Sequence, residues 1–374
     1  MIHSLITLNN NHDISSIKDV SEWLQQRNRE VSVEVKKIPF CEMEQWQVWN
    51  DGSLHHQSGK FFSIEGIRVM TDYPKATVWE QPIIHQPEIG YLGILTKEID
   101  GILYFLMQAK IEPGNVNHVQ LSPTLQATKS NYTQVHGGKK AAYLDYFRNA
   151  RPEQIILDQL QSEQGARFLR KRNRNIIIKV DEDVPVLEDF QWMTLGQIKA
   201  LMQIDNCVNM DTRTVLSGLD FSLYKVTDEN ASQMSDLGRA LLDSANAHDG
   251  LHTMHGILSW FTGLKSGYDL TVTNVPLNQI AEWECRDNEI VRKDEKYFRI
   301  LGVRVSIDNR EVRSWCQPLV QPMPISDNWL SAEKSIYCRP EQPTKAASPI
   351  FVSEAGSFRV VNSVHMAKAL VRIV

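Results

Sequence analysis

An internal duplication constrains the fold of this chain more than any other feature of its sequence. Residues 61–82, FFSIEGIRVMTDYPKATVWEQP, align without gaps with residues 297–318, YFRILGVRVSIDNREVRSWCQP. Chance similarity between two amphipathic strands would give alternating Ile and Val, but not Trp, Gln-Pro and Asp in register over such a length. The two segments are therefore copies of one unit. The identical pairs include Phe62/Phe298, Gly66/Gly302, Arg68/Arg304, Asp72/Asp308, Trp79/Trp315 and Gln81/Gln317, and upstream Trp23/Trp260, Pro39/Pro276 and Trp46/Trp283.

Each copy begins with a helix pattern and continues with strand patterns. In SSIKDVSEWLQQ, either Ser15 or Ser16 can cap a helix whose apolar residues share one face, and residues 254–265 are its counterpart. The alternation of apolar and polar residues at 31–38 and at 63–69 predicts half-buried strands.

A β-hairpin is predicted at 91–111, because its turn pair Asp100-Gly101 accepts positive φ at low cost. The whole pattern predicts an α+β fold with mostly antiparallel sheets and flanking helices. The other predicted elements are a strand near 118–121, helices near 140–164, a strand at 175–180, and helices that begin at about Thr194 and Asp211.

The second copy does not repeat the whole of the first. The register places the counterpart of the Asp-Gly hairpin near 334–337, where the sequence reads KSIY, and the residues after about Met323 match nothing in the first copy. We therefore expect 1–228 to be a complete repeat with the active site, 229–322 a partial, truncated second repeat, and 323–374 a divergent tail.

Charge and cysteine content exclude several classes of protein. Lys and Arg number 40 against 45 Asp and Glu, a net charge of −5, so the basic excess that nucleic-acid binding requires is missing. The apolar run at 101–107 is far shorter than the roughly 20 residues of a membrane helix, and the start lacks the basic region of a signal peptide. We therefore expect neither a nucleic-acid nor a membrane partner. Widely spaced cysteines without a CxxC pair are typical of reduced thiols in a cytoplasmic protein; they are Cys41, Cys207, Cys285, Cys316 and Cys338.

Ordered motif blocks follow the first duplicated segment. They read LTKEIDGILYFLMQAKIEPGN, LSPTLQATKSNY, VHGGKKAAYLDYF, SEQGARF and WMTLGQ. This series, from about Trp23 to Leu216 and again from Trp260 to Gln321, resembles the NDP-hexose 2,3-dehydratase family. The resemblance implies tandem Nudix-like repeats, TDP-4-keto-6-deoxy-D-glucose as the substrate, a homodimer and no cofactor. The incomplete second repeat departs from the family pattern, which has two complete repeats.

The chemistry of the sugar explains the reaction that this resemblance implies. The ketone at carbon 4 acidifies the hydrogen on carbon 3, so a base can remove it while a general acid protonates the hydroxyl that leaves carbon 2. The enol then tautomerises to a 3,4-diketone, and donors to the enolate oxygen would accelerate the step. Because this product tends to lose its nucleotide, the resemblance also implies a downstream 3-ketoreductase in the pathway.

Polar residues of these blocks are the candidate site residues. Glu98, Tyr132 and His136 are the candidate catalytic groups, since His titrates near neutrality and Tyr can donate to an oxyanion. We expect the Asp-Gly hairpin after Glu98 and the Asn-Tyr…His-Gly-Gly loop, 131–138, to line one pocket. The candidate substrate-binding residues are Arg68, Trp79, Gln81, Gln108, Lys110, Asn115, Gln126, Asn131, Lys139, Arg167 and Asn173.

These candidates also have purely structural interpretations. Glu98 can be a solvated charge at a hairpin end, Arg68 one half of an ion pair at a strand edge, and Trp79 a core residue. The alternating polar residues of 108–115 can be the solvent-exposed face of a sheet, and 122–140 can be an ordinary surface loop.

A Nudix hydrolase holds Mg²⁺ on a glutamate-rich helix, because carboxylates and phosphates are its preferred ligands. When the segment DQLQSEQGA is laid on the end of that motif, Glu163 and Gly165 are kept, but Gln159 and Ser162 stand at acidic positions. We therefore expect no metal site. Two rival functions stay open: a non-catalytic or inactive truncated nucleotide-sugar-binding remnant, and a Nudix-type diphosphatase.

Overall fold

The duplicated segments form the same series of elements: a helix, a strand, a short 3-10 helix and four more strands. The computed structural model describes residues 17–132, 141–220, 235–247, 250–286, 288–307, 313–323, 350–352 and 358–360. Its helices are α1 Ile17–Glu30, α2 Lys129–Tyr132, α3 Leu144–Arg148, α4 Leu195–Leu201, α5 Met210–Ser217, α6 Asp236–Asn246 and α7 Met254–Ser266, with 3-10 helices at Phe40–Glu42, Pro152–Gln154 and Leu277–Gln279.

Strands make up most of the regular secondary structure of the described residues. In the first copy and its extension they are β1 Val33–Ile38, β2 Trp46–Val48, β3 Leu54–His56, β4 Ser63–Thr71, β5 Thr77–His85, β6 Gly90–Ile99, β7 Ile102–Ile111, β8 Val119–Ser122, β9 Leu125–Ala127, β10 Ile155–Ser162, β11 Arg172–Val180 and β12 Phe190–Thr194. In the second copy and after it they are β13 Leu270–Val275, β14 Trp283–Arg286, β15 Glu289–Arg292, β16 Phe298–Ile307, β17 Ser314–Pro322, β18 Ile350–Val352 and β19 Phe358–Val360.

Within the described ranges, these strands form two five-stranded sheets, one seven-stranded sheet and one two-stranded sheet. Every strand pair is antiparallel except β6 and β11, which run parallel. The predicted α+β class with mostly antiparallel sheets is confirmed. Among the helices described, none is both long and apolar enough to cross a membrane.

The two copies exchange their first strands. Strand β1 of the first copy pairs with β16 of the second, and β13 of the second copy pairs with β4 of the first. The registers match, because Ile38 faces Gly302 in one sheet and Val275 faces Gly66 in the other. Each five-stranded sheet therefore contains strands from both copies.

The close approach in this exchange explains why glycine stands at both equivalent positions. A Cβ at Gly66 would lie 2.6 Å from the carbonyl oxygen of Val275, and a Cβ at Gly302 would lie 2.8 Å from that of Ile38. Real Cβ atoms are not found this close to an oxygen, so any side chain would push the exchanged strands apart.

The duplicated tryptophans connect the two sheets in the same reciprocal way. The Trp46 indole donates a 2.8 Å hydrogen bond to the carbonyl oxygen of Cys316, and the Trp283 indole donates one of 3.0 Å to that of Glu80. Apolar side chains of both copies form one core between the sheets, including Ile38, Phe40, Leu54, Ile64, Leu277, Ile280, Phe298 and Ile300.

The seven-stranded sheet is built around the predicted hairpin of β6 and β7. Its turn residues have positive φ, 51° at Asp100 and 77° at Gly101, as the sequence predicts. One face of this sheet is covered by α1, α4, α5 and the β16–β17 pair, and the other by α3 and its neighbours. The first copy therefore depends on strands of the second to cover its largest apolar face.

The predicted helices near 140–164 are wrong over most of that range. Only α3 and a 3-10 turn are helical there, and Ile155–Ser162 is strand β10, paired antiparallel with β11. Ile155 and Leu157 alternate with more exposed neighbours, a period of two that fits a strand edge. The segment laid on the Nudix motif is thus extended in its first half, and residues 334–337 lie outside the described part of the chain.

Helices α1 and α7 are equivalent in sequence but not in environment. Val20 and Leu24 of α1 are buried against the seven-stranded sheet. Their counterparts on α7, Ile257 and Phe261, are 42% and 48% exposed. The first copy therefore covers the apolar face of its helix, whereas the described residues leave that of the second copy open.

Candidate active site

A polar cleft of about 230 Å³ opens where β10, β11, the start of β6 and helix α5 meet. Most of its lining groups are carboxyl, amide or hydroxyl groups, which suits a ligand rich in hydroxyls. The lining residues are Leu92, Gln161, Ser162, Glu163, Gln164, Asn173, Asn175, Met210, Asp211 and Thr214.

The first turn of α5 carries Asp211 into this cleft. The helix is capped by Asn209, whose side-chain oxygen accepts a 2.8 Å hydrogen bond from the Thr212 amide. The Asn209 amide group also donates to Ser122 Oγ at 2.9 Å and to Gln126 Oε1 at 3.3 Å. The cap therefore ties the start of α5 to the β8–β9 segment and fixes where Asp211 lies.

The surroundings of Asp211 favour its neutral form. Burial raises its pKa, the negative charges of Glu112 and Glu163 raise it further, and Lys110 partly opposes them, so the pKa rises to about 6. A carboxyl group with this pKa can hold or release a proton near neutral pH, which is the property required of a general acid or base.

Hydrogen-bond donors hold the neighbouring glutamates. Glu112 accepts 2.7 Å from the Gln126 amide and forms a 3.2 Å ion pair with Lys110 Nζ. Glu163 accepts a 2.8 Å hydrogen bond from the amide of Asn173. Both glutamates are thus held in place by these donors, and their negative charges act on Asp211.

Asn175 has an acceptor without a partner at the cleft. Its side chain is fully buried, and its amide nitrogen donates 2.6 Å to Gln161 Oε1. Among the described residues, its Oδ1 receives no hydrogen bond. A buried carbonyl oxygen in this state is costly unless a ligand or water donates to it.

The cleft and its hydrogen-bonded border gather three of the sequence-predicted residues. Asn173 lines the cleft, whereas Gln126 and Lys110 bind Glu112, whose charge acts on Asp211. Gln108 borders a separate cavity of about 60 Å³, which Lys110 and Arg27 also line.

Asn115 stabilises a turn. Its side-chain amide donates 3.2 Å to the carbonyl oxygen of His118, and its backbone amide donates 3.0 Å to that of Glu112. These bonds fix the turn that follows Glu112.

Glu98 does not reach the cleft. It lies about 20 Å from Leu92 along β6, at roughly 3.3 Å per residue, in an exposed ion pair of 2.7 Å with Lys179. That hydrogen bond and the charge of Lys179 lower the Glu98 pKa, which suits a surface charge. The residue therefore matches its structural interpretation.

The hairpin turn and the first residues of the 131–138 loop lie at opposite ends of β6, and residues 133–138 of that loop lie outside the described part of the chain. β9 pairs with the beginning of β6, and the Ser130 amide donates 2.9 Å to Glu88 just before that strand. Asn131 and Tyr132 belong to α2, whereas His136 and Lys139 lie outside the described residues.

The duplicated strand residues make internal contacts. Arg68 Nε donates 2.6 Å to Glu80 on the paired strand, which is the ion pair of its structural interpretation. Trp79 donates 3.1 Å to Gln81, and Gln81 donates 3.0 Å to the carbonyl oxygen of Ala166.

Arg167 follows Gln164, which lines the cleft, by three positions in the sequence. Its guanidinium lies 4.2 Å from the ring centre of Phe298 of the second copy, and burial lowers its pKa. Its NH1 is buried without a hydrogen-bond partner among the described residues.

The main residues missed by sequence reasoning are the carboxylates Glu112 and Asp211 and the amide of Asn175. Glu112 belongs to the alternating polar run that was singled out, so its position carried a signal. Asp211 carried none beyond its place near a predicted helix start. No group of three or more His, Cys, Asp or Glu placed to hold a metal ion occurs in the described ranges.

An α+β fold with a polar cleft and a carboxyl group titrating near neutrality defines an enzyme-like site for a polar small molecule. The family model described as NDP-hexose 2,3-dehydratase matches residues 17–219 and 254–328. The chain therefore belongs to the NDP-hexose 2,3-dehydratase family, as its motif blocks indicate.

Three curated relatives carry the name dTDP-4-dehydro-6-deoxy-alpha-D-glucopyranose 2,3-dehydratase. The protein of Saccharopolyspora spinosa is 48% identical over 301 residues, covering 80% of this chain and 62% of that protein. Those of Amycolatopsis orientalis and Streptomyces violaceoruber are 45% and 42% identical, covering 81% and 80% of this chain and 61% and 66% of those proteins. The chain spans about three-fifths of the length of these relatives.

Proposed function

We propose that this chain catalyses the 2,3-dehydration of TDP-4-keto-6-deoxy-D-glucose in deoxysugar biosynthesis. The observation that carries the proposal is the family membership. The relatives are named for this activity on the same sugar nucleotide, since dehydro and keto are two names for one group. The cleft supplies groups of the kind that the reaction needs. It offers a carboxyl group that titrates near neutrality and buried amides for hydroxyl groups.

We propose that the sugar half of the substrate occupies the cleft. Its volume of about 230 Å³ is below the roughly 300–1,000 Å³ of pockets that enclose a whole drug-sized ligand, so the nucleotide would extend beyond it. Asn173, Gln126 and Lys110 are the proposed substrate-binding residues here. The unpartnered NH1 of Arg167 supports a contact of that residue with the diphosphate.

We also propose the organisation that the sequence implies. The site lies in the first repeat, 1–228, and the second repeat, 229–322, completes its fold through the exchanged strands. Tandem Nudix-like repeats, a homodimer, a cytoplasmic location and a 3-ketoreductase that consumes the product belong to the same proposal. The reciprocal pairing of β1 with β16 and of β13 with β4 supports the repeat relationship.

The test is a coupled assay with purified protein, TDP-4-keto-6-deoxy-D-glucose, a 3-ketoreductase and NADPH, with a reaction lacking this chain as control. We expect a 2-deoxy sugar nucleotide in the complete reaction, and release of TDP when the reductase is omitted. Absence of both products would contradict the proposal. Stabilisation by TDP without turnover would support a binding role instead, and release of TMP that a chelator abolishes would support a diphosphatase.

A further inference from the structure

We propose that Asp211 is the general acid of the elimination and that Asn175 accepts a hydrogen bond from a hydroxyl group of the same sugar ring. This assignment rests on the proposed function, and it identifies the group that protonates the hydroxyl leaving carbon 2.

The geometry makes Asp211 available for proton transfer. Its carboxyl group lines the cleft, and in the described part of the chain it forms neither a hydrogen bond nor an ion pair. Capping by Asn209 fixes the helix turn that carries it. The proton of this carboxyl group is therefore free to be donated to a ligand.

Charged groups at the ends of two strands face Asp211. Glu112 and Lys110 face it from the end of β7, and Glu163 faces it from the residue after β10. Arg213, on α5 itself, donates to the carbonyl oxygens of Val208 and Met202. Two negative charges against one positive charge, in a partly buried site, keep the carboxyl group protonated at a higher pH than an exposed aspartate.

Asn175 is the second residue of the cleft that the proposal uses. Its fully buried side chain borders the cleft, and its Oδ1 has no partner among the described residues, although its amide nitrogen is bonded to Gln161. A sugar hydroxyl can satisfy this oxygen. A carboxylic acid and an amide acceptor on one cleft thus match a substrate with adjacent hydroxyl groups.

The elimination removes one proton and one hydroxyl group from the sugar. A base takes the hydrogen from carbon 3, and the electron pair of that bond forms the double bond between carbons 2 and 3. The bond from carbon 2 to oxygen breaks with both electrons on oxygen, which takes the proton of Asp211 and leaves as water. The Asp211 carboxylate regains a proton from solvent, which receives the one removed from carbon 3.

The experiment compares Asp211→Asn with wild type and with Asp205→Asn, a matched change at an exposed aspartate outside the cleft. For Asp211→Asn we expect kcat to fall by about 10²–10⁴-fold with little change in KM. Asp205→Asn should keep the wild-type rate. If Asp211→Asn does not fold, Asp211→Glu replaces it and should keep part of the rate.

The dependence of kcat/KM on pH separates proton donation from a structural role. The wild-type rate should fall above about pH 6, and Glu112→Gln should move this fall to lower pH because it removes a charge that favours the neutral acid. An Asp211→Asn rate equal to wild type, or an unmoved pH profile in Glu112→Gln, would overturn the assignment. Loss of turnover in the wild type itself would instead overturn the proposed function.

Discussion

The strand exchange predicts that two glycines far apart in the sequence have the same structural role. In Gly66→Ala, the new Cβ would lie 2.6 Å from the Val275 oxygen and 3.0 Å from the side chain of Ile280. In Gly302→Ala, it would lie 2.8 Å from the Ile38 oxygen. Ordinary contacts begin at about 3.4 Å, and a backbone carbonyl of a paired strand cannot rotate away. Each substitution should therefore destabilise the fold by about 1–3 kcal/mol.

The assay is urea unfolding followed by circular dichroism, with the free energy of unfolding obtained by linear extrapolation. The matched control is Gly263→Ala on α7, where no atom outside the adjoining helix turns, among the described residues, lies within 4 Å of the new Cβ. This change should stabilise the protein by up to about 1 kcal/mol, because alanine is the better helix former. Wild-type stability in both Gly66→Ala and Gly302→Ala would refute the exchanged pairing.

Three further predictions follow from the same structure. Leu24→Ala should lower the free energy of unfolding by about 2–5 kcal/mol because Leu24 is buried, whereas Phe261→Ala at the equivalent, half-exposed position should lower it by under about 1 kcal/mol. Thermal and urea unfolding measure both values. Equal losses of stability would contradict the difference in burial between α1 and α7. Glu98→Gln should leave the rate of dehydration unchanged and lower the free energy of unfolding by at most about 1 kcal/mol, since it removes an exposed ion pair. Loss of turnover in the coupled assay would show that Glu98 takes part in the reaction. Folding raises the pKa of Asp211 from 3.8 to about 6, so the wild type loses stability as the pH rises from about 4, and this loss is complete above about pH 6. The stability of Asp211→Asn should therefore rise relative to wild type by on the order of 1–3 kcal/mol between about pH 4 and pH 7. A difference in urea titrations that stays constant over this range would contradict the expectation.

Local elements were predictable where a few neighbouring residues determine them. The Asp100-Gly101 pair set the hairpin turn, and the Thr194 cap set the start of α4. The segment 155–162 was misassigned because its residues alternate only weakly, and its strand conformation depends on pairing with β11. Pairing between distant strands overrides local preference in such cases.

The strand exchange and the cleft depend on contacts that no local pattern encodes. The duplication showed that Gly66 and Gly302 are equivalent, but not that each approaches a strand of the other copy. Asp211, Glu112 and Glu163 come from separate elements, so only the fold brings their charges together. The motif blocks identify the family, whereas the residues of the cleft come together only when the chain packs.

The isotope content of the product tests the central claim most directly. The coupled reaction is run in deuterium oxide, and the sugar nucleotide is analysed by mass spectrometry and NMR. If the chain removes the carbon 3 hydrogen and expels the carbon 2 hydroxyl, water is lost and the reductase then adds two hydrogens to the diketone. The 2-deoxy product will therefore lack one oxygen atom of the substrate and will carry solvent deuterium on carbon 2. A sugar nucleotide that keeps its carbon 2 hydroxyl and takes up no deuterium there would contradict the account.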